Sequence, residues 1–371
     1  MITSNLFRVI MQINLIGGFL GSGKTTAITN AVNLLTQKNI KAGIITNDQG
    51  NYLVDTKFVQ SQEIPSGQVH GGCFCCNYNQ LNEQIDSMIR TYDPHMIFAE
   101  TVGSCTDLIS TVVKPLKKFK NMALSKVTFS SFADASLLLE YLRGNKPNFE
   151  EETVYIWEKQ IEEAEILVIN KIDLLTRDEL AELKISAAEK FQGKKIVFQN
   201  SLDKNYIERW IDLLETVPGG NGNKSIEIDY NIYGKGEANL SWLDEEITFN
   251  SSAGNAAKAA YEFISNVSDK IIGMGLPVGH LKYFVSSKNK LEKISLTSNK
   301  NDSVKLPAEI EDSEIAIVLL NARIQAEPET LRNIVAAELD SISEKHQVNF
   351  EEENISYFQP SFPNPTHRIL D

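Results

Sequence analysis

The sequence is poor in the features that define several broad protein classes. It has only four cysteines in 371 residues, and three of them fall between positions 73 and 76. A disulfide framework spreads its cysteines along the chain, so this set points to a reducing, cytoplasmic setting. There are five scattered histidines and no histidine-rich stretch, which argues against bulk metal storage. No apolar run reaches the ~18 residues that cross a bilayer, so no membrane span is expected. The opening stretch MITSNLFRVIMQINLIGG runs into a glycine-rich turn without a cleavage site. It reads as a strand and not as a signal peptide. Basic residues are in deficit, 36 against 49 acidic, for a net charge of −13. That balance argues against a general nucleic-acid binder, which carries a basic footprint.

What remains is ordinary globular composition, 42% hydrophobic and 23% charged, in a length that suggests two domains. The first two hundred residues alternate short apolar runs with helical patterns. Strands are expected at 11–16, 40–46, 96–100, 126–132, 166–170 and 195–199. Helices are expected near 25–37, 79–90, 107–119, 153–163, 177–191 and 204–215. Such alternation predicts an α/β fold, a doubly wound P-loop NTPase sheet. ValProGlyGlyAsnGlyAsn at 217–223 is rich in turn formers and predicts a linker. It separates a domain at 1–216 from a second, smaller α+β domain at 224–371. The second domain reads β-α-β-β-β-α-β and holds most of the acidity, which predicts a client- or partner-binding domain that steers a basic partner surface, with mere solubility as the alternative.

The phosphate-binding signal is Gly18-Phe-Leu-Gly21-Ser22-Gly23-Lys24-Thr25, followed by Thr26. It fits G-x-x-x-x-G-K-[ST] between a strand and a helix. Glycines let successive N–H groups wrap a phosphate, and the helix N-terminus faces the anion. Lys24 is expected to neutralise the β- and γ-phosphates, and the Thr25 hydroxyl to hold Mg²⁺. Downstream, Asn170-Lys171-Ile-Asp173 closes an apolar strand. Asp173 can accept two hydrogen bonds from the N1–H and exocyclic amine of guanine, a donor pair adenine lacks, so GTP is the expected nucleotide. Lys171 can pack its stem on the base, and Asn170 can tie this loop to the phosphate loop. MetIlePheAlaGlu100 ends another strand in an acid, followed by Thr-Val-Gly103. Glu100 is expected near Mg²⁺, and the Gly103 N–H near the γ-phosphate. Asp48 follows the second strand; an approach to the metal or attacking water and a plain turn are both open there.

His70-Gly-Gly-Cys73-Phe-Cys75-Cys76 places three thiols on a loop that opens a helix. Such a set can hold a thiophilic ion, and a redox pair or small packing residues are the alternatives. Adjacent Cys75 and Cys76 are expected to point apart. Cys105, five residues past Glu100, then becomes a fourth candidate ligand, with a buried packing role as the alternative.

Together these motifs resemble the CobW-type metallochaperone GTPases, relatives of the urease and hydrogenase accessory GTPases. The resemblance covers about residues 11–215 and rests on GlyPheLeuGlySerGlyLysThrThr, GlyCysPheCysCys, GluThrValGly and AsnLysIleAsp, in that order. It implies slow GTP hydrolysis with Mg²⁺, a catalytic role at Glu100, and handling of Zn²⁺ or Co²⁺ for a client. The client would be a metalloprotein or a cobalamin-dependent enzyme. Asp134 also resembles a family strand-end acid. Ser104-Cys105-Thr106-Asp107 departs from the family's Leu-Ala-Asp-Pro. A redox-sensing switch built on the same cysteines is a competing function, as is a P-loop small-molecule kinase. No arginine flanks the motifs, so the client or the second subunit of a homodimer is expected to complete the catalytic site.

Overall fold

The computed structural model describes residues 11–47, 54, 64–119, 125–219, 224–288, 290–297, 304 and 306–371. Asp48 lies outside the described residues. Seven strands form a parallel sheet: β1 Met11–Gly18, β2 Ala42–Asn47, β3 Ser66–Val69, β4 Met96–Glu100, β5 Ser125–Asp134, β6 Ile166–Asn170 and β7 Lys195–Gln199. Their order is β3-β2-β4-β1-β5-β6-β7. Strands β4 and β6 are buried at every residue, as a parallel sheet covered on both faces requires. Helices α1 Lys24–Gln37, α2 Tyr78–Tyr92, α3 Lys114–Phe119, α4 Ala135–Leu142, α5 Glu151–Glu163, α6 Arg177–Lys190 and α7 Lys204–Thr216 complete this α/β body. Trp210 of α7 is buried edge-on against Phe132, 5.3 Å between centroids, and anchors one helical layer.

The helix expected over 107–119 is broken. Ile109–Val113 forms a π-helical turn before α3, and the Lys114 N–H reaches the Ile109 carbonyl. Pro115 has no N–H to offer Thr111, so the usual helical ladder cannot run through this point. The chain enters the turn through Asp107, at φ 59°.

The second domain has helix α8 Tyr230–Asn239, then β8 Leu240–Asn250, α9 Ala256–Gly273, β9 Val278–Ser287, β10 Lys290–Leu296, β11 Ile315–Gln325, α10 Pro328–His346 and β12 Asn349–Phe358. Its antiparallel sheet is ordered β10-β9-β11-β8-β12. One face is apolar: Leu281, Tyr283, Val318, Leu320 and Ile247 pack on Ala260, Ile264 and Leu339 of α9 and α10. The alternate residues face the α/β body. That side is polar, carrying Trp242 on β8, His280 and Lys282 on β9, and Asn321 and Arg323 on β11, in paired register. Among the described residues no helix is long and apolar enough to cross a membrane.

Candidate functional site

A cavity of about 320 Å³ opens at the carboxyl ends of the parallel strands, where open α/β sheets bind ligands. Gly21, Gly23, Lys24, Thr25 and Thr26 line one side, with Glu100, Gly103, Asn170, Lys171 and Asp173. Gly18 ends β1 behind them. Three glycines of the loop have positive φ: Gly18, Gly21 and Gly23. Gly23 sits at φ 88°, and a Cβ there would lie 2.4 Å from the Asn170 amide nitrogen. The close approach serves a contact: Asn170 donates from Nδ2 to the Ser22 carbonyl at 2.8 Å. Its Oδ1 accepts from the Ser201 hydroxyl at 2.7 Å. Lys24 is buried, with Nζ donating to the Gly18 and Phe19 carbonyls at 2.8 and 3.1 Å. The Thr25 hydroxyl donates to Glu100 Oε1 at 2.8 Å. A hydroxyl and a carboxylate so placed form the hard-oxygen pair that suits Mg²⁺. Lys171, at φ 66°, places Nζ 3.0 Å from Asp134. Asp134 also caps α4, accepting from the Ser136 and Leu137 N–H groups. Asp134 thus ties Lys171 to the first turn of α4.

The cysteine loop lies beside this cavity. The Cys73 thiol donates to the Cys76 sulfur at 3.3 Å, and the Cys75 and Cys76 sulfurs are 3.7 Å apart. All three sulfurs lie within 4.8 Å of one another. With Zn–S bonds of about 2.3 Å, a tetrahedral site has sulfur–sulfur edges of about 3.8 Å. The set fits a thiophilic ion. The expected divergence of Cys75 and Cys76 is not observed. The Cys76 and Asn77 N–H groups both reach the Cys73 carbonyl, and this turn swings successive side chains to one side, where an extended strand would alternate them.

Residues 12–199 match the CobW/HypB/UreG nucleotide-binding domain family. The chain belongs to this family. It is 28% identical over 170 residues to the zinc chaperone YeiR of Escherichia coli strain K12, covering 44% of this chain and 48% of YeiR. It is 24% identical over 210 residues to the zinc chaperone CobW of Pseudomonas aeruginosa, covering 48% of this chain and 53% of that protein. The chain thus spans about half the length of these curated relatives. The HypB structure from Helicobacter pylori in complex with nickel aligns at a TM-score of 0.41 and 13% identity, over 57% of this chain and 91% of that one.

In this CobW/HypB/UreG member, Cys105 joins the cysteine cluster. It is fully buried and hydrogen-bonded to Cys73 and Cys75. Burial pushes its thiol up, but those two hydrogen bonds outweigh burial and bring it down to about 7. The other thiols move the opposite way. Cys73 and Cys75 are raised first by the bond to Cys105, and Cys76 is pushed up to about 11, first by the bond to Cys73. Four sulfurs in one pocket cannot all carry charge. A divalent cation inverts that balance, so its binding must expel protons.

Several functional contacts have no motif behind them. Asn47, on the nucleotide cavity wall, donates to the Gly72 carbonyl at 2.7 Å and accepts from the Phe74 N–H at 2.7 Å. It clamps the cysteine loop from the nucleotide side. Gln160 donates to the carbonyls of Gly103 and Cys105 at 3.0 and 2.9 Å. Glu163 accepts from the Thr106 hydroxyl and the Leu108 N–H at 3.0 and 2.8 Å. No arginine flanks the motifs in sequence, yet in space Arg323 reaches Ser104 at 3.1 Å. The final residues also cover the thiols. The Thr366 N–H donates to the Cys75 carbonyl at 2.8 Å, and the Asn364 N–H reaches the Cys76 sulfur at 3.3 Å. A second cavity of about 350 Å³ lies between this tail, Cys73, Cys76 and Glu237.

Proposed function

We propose that the protein is a GTP-hydrolysing metallochaperone that binds a zinc- or cobalt-class ion at Cys73, Cys75 and Cys76 and passes it, or a metal cofactor, to a client. The observation that carries this reading is the adjacency of the two sites. The segment that follows Glu100 runs from Gly103 on the nucleotide cavity to Cys105 in the thiol cluster, and Asn47 joins the two sites a second time. A γ-phosphate that draws in Gly103 must therefore load Cys105. The zinc chaperone relatives support zinc as the cargo. In this reading Lys24 neutralises phosphate charge, Thr25 and Glu100 hold Mg²⁺, and Glu100 positions the attacking water. When bound, Mg²⁺ supplies charge that stabilises the departing phosphate.

The test is metal affinity, measured with Co²⁺ as an optical probe under GDP and under a non-hydrolysable GTP analogue. Linkage requires metal and nucleotide to alter each other's affinity by one factor, typically about 5–150-fold. Equal affinities in the two states would sink the coupled reading. Cys105→Ala is expected to shrink the difference, and an undiminished effect in that variant would remove Cys105 as a ligand. A redox switch is a second reading, favoured by the 3.3 Å approach of Cys73 and Cys76. It expects no metal in protein purified under reducing conditions.

Guanine selectivity is assigned to Asp173, which lies exposed at the mouth of the cavity. Asp173→Asn turns a double acceptor into a mixed donor and acceptor. It should weaken GTP by about 2–3 kcal/mol and favour xanthosine triphosphate. A wild-type chain that binds ATP and GTP equally in competition would rule this out.

A further inference from the structure

The second domain is strongly acidic, yet the side it turns to the nucleotide cavity is not. Its strands place Trp242, His280, Lys282, Lys293, Ser295 and Thr297 on the cavity wall. None of these is acidic, and two are lysines. The register explains the placement. Ser295 pairs with Lys282, and Lys293 pairs with Phe284. Asn321 pairs with Lys282 and Arg323 with His280. Positions 280, 282, 293 and 295 therefore share the face opposite the apolar core, since side chains alternate along each strand. Asp244, on the same face, accepts a hydrogen bond from Asn321, and Asn321 Oδ1 in turn meets His280 Nε2 at 2.6 Å.

The point of contact decides which end of a nucleotide this wall meets. Gly21 is at φ 72°, and a Cβ there would lie 2.3 Å from Thr297 Cγ2 and 3.2 Å from the Gly279 carbonyl. A Cβ on Gly279 would lie 2.6 Å from Leu20 Cδ1, and one on Gly103 would lie 2.7 Å from Leu20 Cδ2. The second domain therefore rests on Leu20 and Gly21 in the middle of the phosphate loop, and Gly103 packs against the same Leu20. Asn170, at the tip of β6, meets the phosphate loop farther along, at Ser22 and Gly23, and Asp173 lies beyond it on the base-side loop. Strand rise is about 3.3 Å per residue, so Lys282 and Lys293 stand about 10 and 13 Å along their strands from Gly279 and Thr297, and both line the same cavity as Gly21, Lys24 and Gly103.

We propose that Lys282 and Lys293 are a phosphate-binding wall supplied in cis, which meets the terminal phosphate of the bound triphosphate opposite Lys24. This rests on the GTPase reading above and extends it to residues outside the nucleotide-binding domain. The wall supplies the stabilisation that was otherwise expected from a client or a second subunit. Charge here acts on the oxygens of the transferred γ-phosphoryl group: water bonds to the γ-phosphorus, the bond to the β–γ bridging oxygen breaks, and GDP leaves with the electron pair.

The experiment uses the full chain and compares wild type with Lys282→Ala, Lys293→Ala, the double variant and the paired Lys→Arg variant. Binding of fluorescent GDP, binding of a non-hydrolysable GTP analogue and single-turnover hydrolysis are measured, with circular dichroism as a check on folding. The double alanine variant is expected to hydrolyse GTP roughly 10²–10³-fold more slowly. It should bind the triphosphate analogue more weakly and keep wild-type GDP affinity, and the arginine pair should restore binding. The single variants are read separately, so misfolding of the double variant leaves the comparison intact. Variants with wild-type hydrolysis and triphosphate affinity would overturn the wall while leaving the GTPase reading standing. Equal weakening of GDP and the triphosphate would overturn the assignment to the terminal phosphate. A wild-type chain that binds no guanine nucleotide would overturn both.

Discussion

Lys24→Ala is expected to lower GTP affinity by about 2–5 kcal/mol, the usual cost of removing one partner from a desolvated charge pair. The side chain is buried at the base of the phosphate loop, and its ammonium is held by two carbonyls of that loop. Those carbonyls aim the charge before any nucleotide arrives, so little ordering entropy is lost on binding. Neutral alanine leaves the phosphates facing the carbonyls of Gly18 and Phe19 without the cation between them. Glu100→Gln should behave differently. It keeps a hydrogen-bonding group beside Thr25 but removes the charge that favours Mg²⁺ and orients water. Nucleotide affinity should stay close to wild type while single-turnover hydrolysis is lost. Calorimetric titration and rapid quench separate the two variants. A Lys24→Ala chain that binds GTP as tightly as wild type would remove Lys24 from phosphate recognition. An unchanged hydrolysis rate in Glu100→Gln would remove Glu100 from the mechanism.

The nucleotide-binding motifs were legible because each is confined to one strand–turn–helix unit. Gly18 to Thr25 sits between β1 and α1, and Asn170 to Asp173 sits at the tip of β6, so local pattern and spatial position coincide. The elements that escaped notice are those with weak local signals. Strand β3 is SerGlyGlnVal, which shows no clear alternation. Helix α8 contains two glycines and little apolar period, and it is held by packing that only the fold supplies. The cysteine geometry was misjudged because alternation was assumed where the chain makes a tight turn. The remaining site residues could not be read locally at all. Arg323 meets Ser104 across 219 positions of sequence, and Lys282 and Lys293 reach the cavity only through strand register. The acidity of the second domain pointed to a basic partner surface. Averaged over the domain, it concealed the two lysines, Lys282 and Lys293, on the face that lines the cavity.

Arg323 should be the most sensitive position in the second domain. It is fully buried, stacks over the Trp242 ring at 4.7 Å, and lies 3.7 Å from the buried Glu237 carboxylate. Arg323→Met keeps the aliphatic bulk but takes the cation from Glu237, which should cost about 3–5 kcal/mol of stability. Adding Glu237→Gln should recover much of that loss, because the buried charge is then gone from both sides of the pair. Urea unfolding followed by tryptophan fluorescence, with Trp242 beside the substitution and Trp157 and Trp210 in the α/β body, measures the stability. Equal stability of wild type and Arg323→Met would show that the pair contributes nothing. The position has a second consequence. Trp242 walls the nucleotide cavity and Glu237 walls the cysteine cavity, while Ser104 lies between Gly103 and Cys105. One guanidinium thus touches the nucleotide wall, the metal wall and the segment that joins them. In the charge-deleted pair, which should fold, GTP and metal should each still bind. The difference in metal affinity between the GDP and GTP-analogue states should collapse toward unity. If that difference stays at its wild-type size, the coupling runs through Asn47 and the cysteine loop, and Arg323 serves stability alone.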